Sequence, residues 1–158
     1  MSIVRVKAPA TTANMGPGYD CLGLALDVWN TLEVEVIQDG EPVVEVTGEG
    51  AGELGTGREN LVYRAMEFLF READEDMPVI RVNCDNAIPL ARGMGSSAAA
   101  IAGGLVAANA LCSQEYTASD LLEMAATIEG HPDNVAAAVL GGMQLVIMDR
   151  IDEGSKLY

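Results

Sequence analysis

The stretch from Pro89 to Leu111, PLARGMGSSAAAIAGGLVAANAL, runs two glycines and two serines into an apolar segment made largely of alanine and glycine. A helix over Ser96–Leu111 with side chains this small has no stripe of bulky residues to set against a single partner. It is stable only where neighbouring elements close on it from every side, so the rest of the chain has to wrap it. At 158 residues and 49% hydrophobic content, the chain is long enough for one domain with a core of that kind and short for two.

The flanking sequence supplies the wrapping. Apolar residues alternate in SIVRVKA, in TLEVEVI and in VVEVTGEG, and that period of two gives a strand one buried face. Between the first two, TTANMGPG at Thr11–Gly18 has the small and polar residues of a loop that brings its backbone close to a ligand. Leu61–Arg71 carries helical apolar spacing behind a capping residue, Asn60. VIRVNCD, from Val79 to Asp85, returns to a strand. Thr117 and Asp120 open a further helix with a capping box in which aspartate replaces glutamate, and Gly130 closes it. A short helix over Asn134–Leu140 ends at Gly141-Gly142, and MQLVIMD follows as a strand. The order of elements predicts an α+β domain in which helices cover one face of a mixed sheet. Residues 1–150 are expected to form that domain, with 151–158 beginning a linker to a further domain.

Composition narrows the partners. With 24 acidic and 9 basic residues, the net charge of −15 argues against nucleic acid and against an anionic membrane surface, both of which need clustered lysine and arginine. Cys21, Cys84 and Cys112 form no C-x-x-C pair and suggest neither a disulfide framework nor a zinc site, so a reducing cytoplasm is expected. Val135–Met148 is too short and too interrupted by glycine to span a bilayer.

The chemistry concentrates where the glycine-rich turn enters its helix. A helix start exposes unpaired N–H groups at the positive end of the helix dipole, which together favour an anion such as phosphate. Gly93 and Gly95 let the backbone approach that anion, and the Ser96 and Ser97 hydroxyls can hold phosphate or a magnesium ion. The loop is not a Walker A motif, which ends G-K-[ST] and needs a lysine absent here. GAGELG at Gly50–Gly55 spells G-x-G-x-x-G, but Glu53 would repel a pyrophosphate and TGREN follows it instead of an apolar helix. It reads as a flexible acidic loop.

Three stretches, APATTANMGPGYDCLGLALD, PLARGMGSSAAA and EGHPDNVAAAVLGG, together resemble the homoserine kinases of the GHMP small-molecule kinase superfamily. The middle one is similar to the superfamily's phosphate loop, P-x-x-x-G-[LM]-G-S-S-A, and the EGHPDN string narrows the resemblance from the superfamily to that family. The resemblance implies the superfamily's amino-terminal domain, itself similar to the second domain of a small-subunit ribosomal protein. It implies ATP and Mg2+ as cofactors and the side-chain hydroxyl of L-homoserine as acceptor. It also implies a carboxy-terminal domain, not carried by this sequence, whose arginines hold the substrate carboxylate. A surface left uncovered by that domain would be apolar, with self-association as a homodimer one consequence. Two other readings stand beside it: another GHMP kinase, such as a mevalonate kinase, and a nucleotide-binding fragment without activity.

The same resemblance distributes roles. Pro89, Arg92, Gly93, Met94, Gly95, Ser96 and Ser97 hold the triphosphate, with Arg92 equally readable as an exposed loop residue. Ser97 and Glu123 bind magnesium through oxygen ligands, Glu123 being otherwise a solvated helix charge. Asn60 touches the nucleotide base or simply caps its helix. Asn14 and Asp20 bind the amino-acid substrate, Asp20 through its ammonium group. Asn134 stands where a mevalonate kinase places an aspartate, and an amide is no general base at neutral pH; it orients the attacking hydroxyl instead. Asp133 is either a rival base or a helix cap, and His131, the single histidine, shapes the site beside them.

Overall fold

A computed structural model describes residues 2–19, 21–151 and 154–157, the stretch from 148 onward through its backbone. Strands β1 (Ile3–Ala13), β2 (Leu22–Val36) and β3 (Val43–Gly48) precede helix α1 (Leu61–Glu72) and strand β4 (Ile80–Asn86). Helices α2 (Ser96–Leu111), α3 (Ala118–Glu129) and α4 (Asp133–Leu140) follow, then short strands β5 (Met143–Leu145), β6 (Met148–Ile151) and β7 (Gly154–Leu157). The main sheet runs β1-β2-β4-β3, with β5 added along the first residues of β2. β1, β4 and β5 lie antiparallel to β2, whereas β3 and β4 are parallel. The sheet is therefore mixed, as its sequence pattern predicts.

The period of two sets the two faces of the sheet. On β4, Ile80, Val82, Cys84 and Asn86 are buried while Arg81, Asn83 and Asp85 face out. Leu32 and Val34 of β2 and Val44 of β3 join the inner set, and the helices pack on that side. The outer face carries charge, including the pairs Arg5–Glu33 at 2.6 Å and Arg81–Glu35 at 3.6 Å. These exposed pairs contribute little stability, so the core on the inner face has to hold the sheet.

Helix α2 is the centre of that core, with Ala98, Ala99, Ile101, Ala102, Leu105, Ala107 and Ala108 buried. Its glycines fix how near the neighbours come. A Cβ on Gly104 would lie 2.7 Å from the Val62 carbonyl oxygen of α1, and one on Gly103 would lie 2.4 Å from Cδ1 of Leu32. The capping residues read from the sequence are in place. Asn60 accepts from the Val62 N–H, and Thr117 and Asp120 form the reciprocal capping box.

Three boundaries differ from the sequence reading. β1 continues through Thr11–Ala13, so the loop starts at Asn14; pairing with the long β2 holds those residues extended. A register shift falls between Pro9 and Ala10, where proline has no N–H to give the ladder. MQLVIMD splits into β5 and β6, because β5 pairs with β2 while β6 turns to β7. Gly154–Leu157, expected within a linker, forms that second strand, four residues being too few to show alternation. Leu140, Met143, Leu145 and Ile147 leave an exposed apolar strip at the end of α4 and along β5.

Gly104→Ala is expected to destabilise the fold by about 1–3 kcal/mol, overpacking outweighing the ~1 kcal/mol that alanine gains in a helix. Gly103→Ala meets only the movable end of a leucine and should lose less. Urea denaturation of the two variants checks the order.

Candidate active site

The glycine-rich turn is held at both ends. Where β4 leaves the sheet, Oδ1 of Asn30 on β2 accepts the N–H groups of Ala87 and Ile88 at 2.9 and 3.0 Å. The turn then takes three left-handed residues, Ala91 (φ 53°), Gly93 (φ 69°) and Gly95 (φ 65°), the last capping α2. Thr11 of β1 presses against it: its N–H donates to the Met94 carbonyl at 3.0 Å, and a Cβ on Gly95 would sit 1.9 Å from Thr11 Oγ1. No side chain caps α2 and its first turn holds no acidic residue. Its N–H groups, unlike those of the side-chain-capped α1 and α3, are left for an anion.

The end of α3 meets the start of α2 at this point. Ser97 Oγ donates to Oε2 of Glu129 at 2.6 Å. The sequence reading named Glu123 as the metal partner of Ser97, whereas the side-chain hydrogen bond that Ser97 makes is to Glu129. Glu123 is exposed on α3, six residues and so about 9 Å of rise from Glu129 on another face of the helix. Gly130, at φ 92°, ends α3 immediately after Glu129 and turns the chain into α4. The EGHPDN string thus offers a carboxylate before the turn and a polar helix start after it. Serine and carboxylate oxygens suit Mg2+, which usually takes one or two carboxylates and completes its shell with water and phosphate oxygens. No cluster of three or more His, Cys, Asp or Glu residues suited to a metal occurs among the described residues.

Asn134 stands beside the turn through Thr11, whose hydroxyl donates to Asn134 Oδ1 at 2.9 Å. With its oxygen engaged by Thr11, the Asn134 amide presents its NH2 group, a donor only. Asp133 is buried, its Oδ1 accepting the Asn134 N–H at 2.8 Å and lying 2.9 Å from Nδ1 of His131. Gly23 on β2 allows this close seat, since a Cβ there would be 2.0 Å from the Asp133 carbonyl oxygen. Asn14, at φ 59°, lies three residues beyond Thr11 where β1 ends. Asp20 lies outside the described residues.

A cavity of about 240 Å3 adjoins the turn, lined by Ser96, Ser97, Leu90, Ala91 and Asn60 among others. Each end of the Asn60 amide makes one bond there: Oδ1 caps α1 and Nδ2 donates to the Gly55 carbonyl at 2.7 Å. Of its two expected roles, the structure shows the cap. Cys84 forms part of the wall, and burial pushes its thiol up to about 11, so it stays neutral. The GAGELG loop opens no helix, and it contributes Leu54 to the same cavity. Arg92 is exposed on the turn. Thr11, Asn30 and Glu129 were not singled out from the sequence. Only the short string linking Glu129 to Asn134 offered a signal, because Thr11 and Asn30 act from strands distant in sequence.

The fold is a mixed α/β domain in which a glycine-rich turn opens onto an uncapped helix start. Residues 60–142 match the family model described as the GHMP kinases N terminal domain, and the chain belongs to that family. It is 52% identical over 138 residues to a homoserine kinase of Corynebacterium urealyticum, covering 87% of this chain and 45% of that protein. With the homoserine kinase of a Synechococcus species, identity is 46% over 147 residues, 93% of this chain and 48% of the other. The chain thus spans about half the length of the curated relatives it matches. Its backbone superposes on the crystal structure of homoserine kinase from Cytophaga hutchinsonii with a TM-score of 0.81 at 28% identity, covering 100% of this chain and 51% of that one. It shares its fold with the mevalonate kinase of Methanococcus jannaschii, at a TM-score of 0.73 and 15% identity over 98% of this chain and 55% of that one.

Gly93→Ala and Gly95→Ala should separate strain from collision. Both place alanine in the left-handed region, at about 1–2 kcal/mol, but Gly93 has nothing within 4 Å whereas Gly95 meets Thr11. Thermal melting is expected to show the larger loss for Gly95→Ala. Thr11→Val leaves Asn134 Oδ1 without its donor and should lose about 1–3 kcal/mol in the same measurement.

Proposed function

We propose that this chain is the nucleotide-holding part of an enzyme that transfers the terminal phosphoryl group of ATP to the side-chain hydroxyl of L-homoserine, giving O-phospho-L-homoserine on the route to threonine. The observation that carries the reading is the convergence of Ser97, Glu129 and the uncapped start of α2, with Asn134 held alongside by Thr11. The names borne by the relatives supply the acceptor.

Phosphoryl transfer needs positioning and charge stabilisation more than covalent chemistry by the protein. The turn from Pro89 to Ser97 holds the triphosphate through its backbone and the serine hydroxyls, with Met94 supplying backbone and Arg92 a cation at its rim. Ser97 and Glu129 hold Mg2+, which when bound neutralises charge on the phosphate oxygens. The Asn134 amide donates to the acceptor hydroxyl oxygen and orients it. No base is assigned: an amide accepts no proton at neutral pH, and the Asp133 carboxylate is buried against His131 and the start of α4. Asn14, Asp20 and His131 are assigned to the amino-acid substrate. A donor amide at position 134 disfavours the mevalonate reading, in which an acid is expected there. The residues that pair with the substrate carboxylate are assigned to the other half of a full-length enzyme, so the present chain binds nucleotide but turns over poorly. Three free cysteines agree with action in a reducing cytoplasm.

Calorimetry with ADP and Mg2+ tests the metal assignment. Ser97→Ala and Glu129→Gln should each weaken binding by about tenfold or more, the loss of a charge-assisted contact, while Glu123→Gln stays within about twofold. Equal effects at Glu123 and Glu129 would overturn it. Release of ADP in the presence of L-homoserine, measured for the chain extended to the length of its relatives, tests the acceptor.

A further inference from the structure

A second cavity, of about 500 Å3, runs along α1 between Pro42, just before β3, and the turn from Asp74 to Val79 that leads into β4. It shares no lining residue with the cavity beside the glycine-rich turn. Its size falls within the ~300–1,000 Å3 of small-molecule sites. Tyr63, Glu67 and Phe70 line it from one face of α1, at i, i+4 and i+7.

Tyr63 is the built element of this cavity. The residue is 5% exposed, and its hydroxyl makes no hydrogen bond among the described residues, yet it is not sealed. It opens to the cavity that Tyr63 lines. A buried phenol usually finds a partner, so this one is left for a group that enters. The Arg58 guanidinium stands 5.8 Å from the centre of the same ring. Burial raises the phenol above its ordinary value, Arg58 opposing the rise and Glu67 and Glu41 adding to it. The hydroxyl therefore stays protonated, in the field of a cation and of carboxylates together.

The charges around the cavity divide into committed and uncommitted groups. Arg71 pairs with Glu72 at 3.5 Å and lies over the Phe68 ring at 4.7 Å, and Glu75 accepts from the Ser113 N–H and hydroxyl. Among the described residues, Arg58, Glu67, Asp74 and Asp76 make no ion pair and no side-chain hydrogen bond. One uncommitted cation thus accompanies three uncommitted carboxylates. Arg58 and Glu67 act on Tyr63, near the start of α1, whereas Asp74 and Asp76 follow its end at Glu72. Nine helical residues separate Tyr63 from Glu72, about 13 Å of rise, so a ligand that engages both groups is elongated.

We propose that this cavity binds a free dibasic amino acid, of the lysine or arginine type, with its α-carboxylate on Arg58 and the Tyr63 hydroxyl, its α-ammonium on Glu67 and its side-chain cation on Asp74 and Asp76. One negative and two positive groups answer the uncommitted charges in sign, and an aliphatic stem answers Phe70, Met77 and Val79. A dicarboxylic amino acid would set a second anion against Asp74 and Asp76, and a diamine would leave Arg58 and Tyr63 unmatched.

Calorimetric titration of the chain with L-lysine, L-arginine, L-norleucine and cadaverine tests this. Lysine or arginine is expected to bind about tenfold or more tightly than norleucine, which lacks the side-chain cation, and than cadaverine, which lacks the carboxylate. Tyr63→Phe keeps the ring and removes only the hydroxyl; it should bind the dibasic amino acid about tenfold more weakly while its thermal melt confirms a folded chain. Saturating L-homoserine should leave that binding unchanged, which separates this cavity from the acceptor site around Asn134. Absence of saturable binding by either dibasic amino acid, norleucine or cadaverine within about twofold of it, competition by homoserine, or a folded Tyr63→Phe that binds as the wild type does would each overturn the site. If Tyr63→Phe does not fold, the exposed double variant Asp74→Asn, Asp76→Asn decides, with the same loss expected and unchanged binding overturning the site. Titration with ADP and Mg2+ is independent of all these outcomes, so failure here leaves the proposed function standing.

Discussion

The contact between Thr11 and Gly95 is the constraint on which the rest of the site depends. β1 and the phosphate turn touch so closely there that the turn has no room for a side chain. The same threonine hydroxyl reaches α4 through Asn134. One fully buried residue thereby sets the start of α2 against the start of α4. A contact between a strand and two helix starts can be this exact because the small residues of α2 let the helices settle directly on the sheet.

The glycine-rich turn presents backbone N–H groups and serine hydroxyls, in a chain of net charge −15. Backbone N–H groups at a helix start attract phosphate without requiring a basic patch, so the acidic composition and a nucleotide ligand are compatible. The outer sheet face and exposed helix surfaces carry the charge, while the cavity is walled by leucine, valine, alanine and a thiol kept neutral by burial. Amides recur at the points where orientation matters: Asn30, Asn60, Asn86 and Asn134 each have one or both ends committed to a neighbour. An amide whose oxygen or nitrogen is already engaged presents a single known function to a ligand, which a freely rotating hydroxyl does not.

Much of this was legible in the sequence because it is local. The capped helices, the alternating strands, the buried alanine-rich helix and the glycine turn depend on residues within one or two turns of each other, and periodicity records them. The phosphate loop was likewise readable as a motif. The carboxylate partner of Ser97 was not: Glu123 and Glu129 sit on one helix, and only the packing of α3 across α2 decides that Glu129 reaches Ser97. Asn60 illustrates the converse, since its capping signal was visible and its second bond to Gly55 was not.

By itself the sequence determined that a mixed sheet would carry a small-residue helix whose uncapped start favours an anion, because backbone geometry and side-chain size act over short separations. Tertiary structure alone decided that Thr11 would orient Asn134, that Glu129 would meet Ser97, and that Asn30 and Asn86 would face one cavity. Those residues lie on separate elements, and their distances are set by strand register and by how closely glycine lets helices approach, neither of which any single segment encodes.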